Sequence, residues 1–281
     1  MVIFKKIADI QEYIAHEKRN GAQIGFVPTM GALHAGHISL VQKAKTEGCL
    51  TVTSIFVNPT QFNDKEDFAK YPVSTTEDIA MLIDAGCDIL LLPDVAEMYP
   101  DGVDAMPTYD FGYQETILEG AQRPGHFKGV GQVVARLLNI VQPDQLYMGQ
   151  KDYQQCMVVT NLLQQLNSKI VMNICATMRE ADGLAMSSRN RRLTEPQRAV
   201  AGLIYQCLVS INVKQAEGKF AVVQKECNDL LKAKGFESEY VALADANTLE
   251  LLSEYDNNRK MVALIAAKIG AIRLIDNMVL N

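Results

Sequence analysis

The chain has 281 residues, with 27 Lys+Arg against 33 Asp+Glu, a formal net charge of −6 at pH 7. Hydrophobic residues make up 48% and charged residues 21%, ordinary globular proportions that exclude intrinsic disorder and low-complexity architectures. An acidic balance argues against a protein held to nucleic acid by phosphate attraction.

Residues 24–27 read as a short β run stopped by Pro28. From Ile38 the period changes, because Ile38, Leu40, Val41 and Ala44 recur at helical spacing. Residues 50–57 are rich in Thr, Val and Ile and predict a buried strand that Asn58-Pro59 ends. A helix over 76–85 closes at Gly86, and a strand over 89–92 closes at Pro93. Val130, Val133, Val134, Leu137, Leu138 and Val141 share one face and predict a helix over 129–141. A strand over 145–148, a helix over 152–166 and a strand over 170–174 follow. Beyond them, 178–190 is polar and irregular. Thr194-Glu195-Pro196-Gln197 carries a capping Thr, a first-turn Pro and a Gln at the third position, and opens a helix over 197–215. A helix over 222–234 and strands over 240–244 and 261–267 complete the chain.

Repeated strand–helix–strand units predict an α/β fold, a parallel sheet with helices on both faces, over residues 1–179. A smaller α+β domain is expected over 180–281. In such sheets ligands sit beyond the carboxyl ends of the strands. The polar, Gly-bearing segments 28–37, 58–63 and 149–152 all follow strands. The six cysteines stand singly with no C-x-x-C pair, so a zinc ribbon is not available and reduced thiols are expected. The start Met-Val-Ile-Phe-Lys-Lys-Ile interrupts any apolar stretch with charge, unlike a secretion signal. The apolar run 261–267 ends at Lys268, too short to span a bilayer. A soluble, cytoplasmic protein is expected.

The sharpest signal is Pro28-Thr29-Met30-Gly31-Ala32-Leu33-His34-Ala35-Gly36-His37, between a strand and a helix. The chain has four His, and two of them lie three apart here. That spacing puts both imidazoles on one side of a helix's first turn. Unpaired N–H groups and the positive end of the dipole favour a phosphate chain there. Two structural His or a metal pair are the alternatives, although no third ligand is evident. The spacing is not that of a P-loop.

Gly149-Gln150-Lys151-Asp152 stands at another strand end. Gly149 permits a tight turn, Lys151 can neutralise phosphate, and Asp152 can cap a helix or accept from a ribose. Gln155 follows within a turn. Met186-Ser187-Ser188-Arg189 offers hydroxyls and a guanidinium for a triphosphate, or is a solvated linker. Gln61, in Asn58-Pro59-Thr60-Gln61-Phe62, can both donate and accept. The basic, Gly/Pro-broken stretch 119–129 reads as a lid over an anion or an exposed loop.

In combination and order these segments resemble the pantothenate synthetase (pantoate–β-alanine ligase) family, over nearly the whole chain. The resemblance rests on 28–37, Phe-Val-Asn-Pro-x-Gln-Phe at 56–62, and Arg-Pro-Gly-His-Phe-x-Gly-Val at 123–130. Gly-Gln-Lys-Asp-Tyr-Gln-Gln at 149–155, Asp-Gly-Leu-Ala-Met-Ser-Ser-Arg-Asn at 182–190 and Arg-Leu-Ile-Asp-Asn at 273–277 complete it. His34-Ala35-Gly36-His37 is similar to the HIGH signature of nucleotidylyltransferases, with their Rossmann-like sheet. Met186-Ser187-Ser188-Arg189 stands where related synthetases carry a KMSKS loop. Gln150 departs from the Glu of many members.

The resemblance implies adenylation of pantoate by ATP, then attack by the amine of β-alanine. It implies that Met30, Gly31, Ala32, Leu33, His34, Ala35, Gly36 and His37 bind ATP. His34, His37 and Lys151 would be catalytic, with His37 as proton donor. Gly149, Gln150, Lys151 and Asp152 would hold ribose and phosphate, Met178 adenine, and Met186, Ser187, Ser188 and Arg189 the triphosphate. Gln61 and Gln155 would grip pantoate, with Asn58 and Met98 as further pocket candidates. Mg2+ would arrive with ATP, held mostly by phosphate oxygens and water. A homodimer, and residues 180–281 acting as a lid, are implied too. A nucleotidylyltransferase with a stable adenylylated product, or a nucleotide-sensing module, are the competing functions.

Overall fold

The apolar run expected near residue 24 is the strand β2 (Ile24–Thr29), with Ile24, Phe26 and Val27 fully buried. A strand buried on both faces belongs inside a parallel sheet covered by helices. The computed structural model describes residues 1–62, 71–215 and 219–280. Six parallel strands lie in the order β1 (Val2–Phe4), β4 (Ile89–Leu91), β3 (Leu50–Ile55), β2, β5 (Gln145–Gly149) and β6 (Val171–Cys175). Helices cover both faces, as expected: α1 (Ile7–Arg19), α2 (Ala35–Thr46), α3 (Thr75–Asp84), α4 (Val95–Met98), α5 (Leu118–Gln122), α6 (His126–Val141) and α7 (Tyr153–Gln165). Leu33, Val41, Leu82, Leu90 and Tyr147 are fully or almost fully buried in one core of this layered unit.

By packing, the chain divides into two compact units. One is Met1–Gly149 with Val158–Cys175, the other Gln150–Met157 with Ala176–Asn281. In the first, β2 has β3 on one side and β5 on the other, and the chain leaves β2 toward β3 before it later fills the β5 side. That reversal opens a crevice at the carboxyl ends of the strands. The segment after β2 leaves the sheet at this edge, and the segment after β3 begins at the same edge. Asn63, at the end of the latter, lies outside the described residues.

The second unit is built on an antiparallel sheet ordered β10 (Ile272–Leu280), β9 (Met261–Ile269), β7 (Phe236–Asp245) and β8 (Leu251–Leu252). The helices α8 (Glu195–Ala201), α9 (Leu203–Lys214) and α10 (Phe220–Ala233) belong to the same unit. Leu208, Ile211, Val223, Leu231, Ile265 and Leu274 form its core.

Several elements differ from the sequence expectation. β1 and α1 were not foreseen: β1 is three residues, and α1 buries only Ile10 and Ile14, too thin a stripe to read. The helix expected over 197–215 is two helices that meet at Gly202, where the Asp182 backbone packs close. A Cβ at Gly202 would sit 2.8 Å from the Asp182 carbonyl oxygen. The capping signal before it holds, with the Thr194 N–H donating to Gln197 Oε1 at 3.0 Å. β10 was missed because Arg273, Asp276 and Asn277 break its apolar alternation. All six cysteines are free thiols, five of them buried. Among the described residues, no helix is long and apolar enough to cross a membrane.

Candidate active site

The segment joining β2 to α2 turns through two left-handed residues, Gly31 (φ 80°) and Ala32 (φ 49°). A non-glycine residue in that region needs support from its surroundings. Asp78 of α3, 1% exposed, supplies it. Its carboxylate accepts from the Ala32 N–H at 2.8 Å and the Leu33 N–H at 2.7 Å, and from Ser74 Oγ at 3.0 Å. Leu33 meanwhile plugs into the core. Gly31 is needed because a Cβ there would meet Asp78 Oδ2 at 3.0 Å and Ile55 at 3.1 Å. The N–H groups of Ala32 and Leu33 are thus committed within the protein.

His34 is the N-cap of α2, in extended conformation. Its Nδ1 accepts from the Gly36 N–H at 3.1 Å, and His37 Nδ1 accepts from the His34 N–H at 3.3 Å. Because a backbone N–H can only donate, both Nδ1 atoms are acceptors. Each neutral ring therefore carries its proton on Nε2. The rings lie 4.1 Å apart, centroid to centroid, and are half-buried rather than packed inside. Two N–H groups expected to meet phosphate directly are instead taken by the imidazoles. The donor position left on each neutral ring is Nε2, and the helix dipole favours anionic partners. Met30 and Gly36 are also half-buried here, and Ala35 is exposed.

Gln61 sits in a short turn (Pro59–Gln61) after β3. Asn58 caps that turn and is fully buried. Its Nδ2 donates to Thr60 Oγ1 (2.9 Å) and the Gly129 carbonyl (3.3 Å), and its Oδ1 accepts from the Tyr99 hydroxyl (2.8 Å). Burial pushes the Tyr99 phenol up to about 12, so it stays a donor at neutral pH. Asn58 thus orders the turn beneath Gln61, and Met98, also fully buried, belongs to the surrounding core.

The stretch 119–129 is not simply an exposed loop. Leu118–Gln122 is already helical, α6 begins at His126, and both His126 and Phe127 are buried. His126 Nδ1 lies 3.0 Å from the Gln61 carbonyl, and Arg123 donates to the same oxygen at 3.4 Å. The basic residues therefore clamp the Gln61 turn from behind. At Gly129 a Cβ would fall 2.4 Å from the Thr60 carbonyl oxygen, a backbone atom that must then move. Gly129→Ala is expected to raise about tenfold or more the KM for whichever substrate Gln61 holds, by shifting its turn. Steady-state kinetics with each substrate varied in turn measures it.

In the second unit, Gln150–Asp152 form a single 3-10 turn before α7. Gly149 has no left-handed φ, and a Cβ there would meet nothing within 4 Å, so the turn does not require glycine. The Lys151 side chain is 17% exposed, with Nζ 3.6 Å from Asp152 Oδ1. Gln155 is half-buried in the first turn of α7. Tyr153 beside it donates to the Ala246 carbonyl at 2.6 Å, its phenol pushed up to about 12 by burial. Met178 has an exposed side chain, and its carbonyl accepts from the Met186 N–H at 2.9 Å. Ser187 Oγ accepts from the Arg189 N–H at 3.3 Å and starts a one-turn helix (Ser188–Arg192) bearing Arg189, Arg191 and Arg192. Met186, Ser187, Ser188 and Arg189 are half-buried and ordered by these bonds, unlike a solvated linker.

Sequence reasoning missed Asp78, and it met Tyr99 and His126 within motifs without their partners Asn58 and Gln61. A lone Asp inside an amphipathic helix, or a His in a basic stretch, carries no signal until its partner is known. Among the described residues no three His, Cys, Asp or Glu converge to hold a metal ion.

Comparison with known proteins agrees over the full length. The pantothenate synthetase of Cytophaga hutchinsonii is 46% identical over 283 residues, covering 100% of this chain and 99% of that protein. The crystal structure of pantothenate synthetase from Thermus thermophilus superposes with a TM-score of 0.91 at 38% identity, covering 99% of both chains. The pantoate–β-alanine ligase from Francisella tularensis, solved with β,γ-ATP and β-alanine, gives a TM-score of 0.82 at 36% identity, covering 99% of this chain and 97% of that one. Residues 2–279 match the Pantoate-beta-alanine ligase family profile, and the chain belongs to that family.

Proposed function

We infer that this chain condenses pantoate with β-alanine at the expense of ATP, giving pantothenate, AMP and pyrophosphate. The observation that carries the reading is the paired imidazoles at the start of α2, each accepting a backbone N–H at Nδ1. A carboxylate resists amines because oxide is a poor leaving group. In the first step a pantoate carboxylate oxygen attacks the α-phosphorus of ATP. The bond to the bridging oxygen breaks and pyrophosphate leaves. In the second, the β-alanine amine attacks the acyl carbon, loses a proton and expels AMP.

The protein's share is positioning and charge neutralisation. His34 and His37 donate hydrogen bonds from Nε2 to oxygens that gain charge as pyrophosphate leaves, and with its Nδ1 accepting from the backbone the proton-donor role expected of His37 is that of a hydrogen-bond donor. Lys151 neutralises phosphate, and Gly149, Gln150 and Asp152 complete the ribose and phosphate contacts. Met178 contacts adenine through its backbone, and Met186, Ser187, Ser188 and Arg189 take the triphosphate. Gln61, on a turn stiffened by Asn58, and Gln155, in the first turn of α7, hold pantoate. Met30, Gly31, Ala32, Leu33, Ala35 and Gly36 shape the loop that presents the rings. Mg2+ enters as part of the substrate, on the triphosphate oxygens. A lid role for residues 180–281, a homodimer and a cytoplasmic setting belong to the same proposal.

The test is product release. AMP is expected only with ATP, pantoate and β-alanine together. Pantoate alone is expected to support exchange of labelled pyrophosphate into ATP. A stable adenylylated product without AMP would favour a nucleotidylyltransferase, and absence of exchange would contradict the two-step scheme.

A further inference from the structure

The run Arg273-Leu274-Ile275-Asp276-Asn277 has no part in the chemistry above, yet β10 buries two polar residues side by side there. Asp276 is 4% exposed and Asn277 2%. Buried polar groups are costly unless paired, so their partners define their use. Successive side chains of a strand face opposite ways. Ile272, Leu274 and Leu280 pack into the core of the second unit, and Asp276 shares their side of the strand.

There its carboxylate takes Arg179 two-pronged, Oδ2 to Nη1 at 2.5 Å and Oδ1 to Nη2 at 3.1 Å. The guanidinium stacks over Tyr205, 4.2 Å from the ring centroid, and also donates to the Gly183 carbonyl at 3.0 Å. Arg179 thereby pins the strand-like pairing that joins Met178 to Met186. Burial pushes the Asp276 carboxyl up, and the guanidinium opposes that. On the opposite side, Asn277 Nδ2 donates to the carbonyls of Gln150 (2.9 Å) and Lys151 (2.8 Å). Its Oδ1 accepts from Gln150 Nε2 at 3.2 Å. Both amide hydrogens are spent on the turn that carries Lys151.

Apolar residues at both positions would serve a sheet better than a buried charge and an amide. We infer that Asp276 and Asn277 are positioning residues, through which one strand sets the spacing between the 150–152 turn and the 178–189 segment, and with it the affinity for a nucleoside triphosphate. This rests on the reading that those two segments hold ATP.

The test is calorimetric binding of an unreactive β,γ-methylene analogue of ATP to the full chain, with kinetics in parallel. Asn277→Ala is expected to weaken binding about tenfold or more and to raise the KM for ATP in step, with kcat at saturating ATP and the KM for β-alanine little changed. Asn277→Asp keeps the shape, removes both donors and is expected to do the same, which covers a failure of the alanine variant to fold. Asp276→Asn is expected to weaken binding through Arg179. Val223→Ala, a cavity in the core of the same unit, lowers the melting temperature and leaves affinity unchanged. Wild-type affinity in the Asn277 variants, or equal weakening in Val223→Ala, overturns the inference while leaving the proposed function standing. A wild-type chain that releases no AMP with all three substrates overturns both.

Discussion

Replacing His37 by Ala is expected to slow pantoyl-adenylate formation by about 10²–10³-fold, a loss of about 3–4 kcal/mol of transition-state stabilisation. The magnitude follows from what the ring does. Its Nδ1 is held by the His34 N–H, so its Nε2 proton points along a fixed direction. In the proposed step a donor held in this way needs little reorganisation at the moment of reaction. The fold should survive, because the ring is half-buried and its loss frees one backbone N–H at a helix start, a cost of about 1 kcal/mol. Pyrophosphate exchange should therefore collapse with only a small change in melting temperature. Reaction of presynthesised pantoyl adenylate with β-alanine should be much less affected. A variant that exchanges pyrophosphate at close to the wild-type rate would remove His37 from the chemistry.

Asp78→Ala should damage stability and activity together. It strands two buried N–H groups, those of Ala32 and Leu33. Each orphaned donor costs about 1–3 kcal/mol, so a drop of order 10 °C in melting temperature is expected. It also removes the support for Ala32 in its left-handed conformation. The loop would relax, and the cap at His34 would no longer start α2 in the same place. Exchange measured well below the melting point should fall at least tenfold, because small displacements of oriented groups are expensive. Asp78→Asn keeps the volume and one acceptor and should fall between. Wild-type melting and exchange in Asp78→Ala would show the clamp to be dispensable.

Repetition of strand and helix periods was enough to predict a parallel sheet with helices on both faces, since burial on both sides writes itself into runs such as 24–27 and 89–92. Thin or interrupted patterns defeated the same reasoning. α1 buries two residues and β10 carries Asp276 and Asn277 where apolar residues belong. The residues that break β10 as a pattern are those with work to do across the unit.

The candidate site divides along the same line. Local chemistry was readable, because a His pair three apart at a strand-to-helix junction, or Gly-Gln-Lys-Asp after a strand, needs only neighbours in sequence to make sense. Sequence alone determined the alternation of elements, the absence of a metal-finger spacing and the segments that bear the reactive groups. Tertiary structure alone decided which nitrogen of each imidazole accepts from the backbone, that Asp78 clamps the loop from 45 residues away, and that His126 and Arg123 brace the Gln61 turn. The physical reason is that hydrogen-bond roles are fixed by the partner. Partners brought together by folding leave no periodicity in the chain.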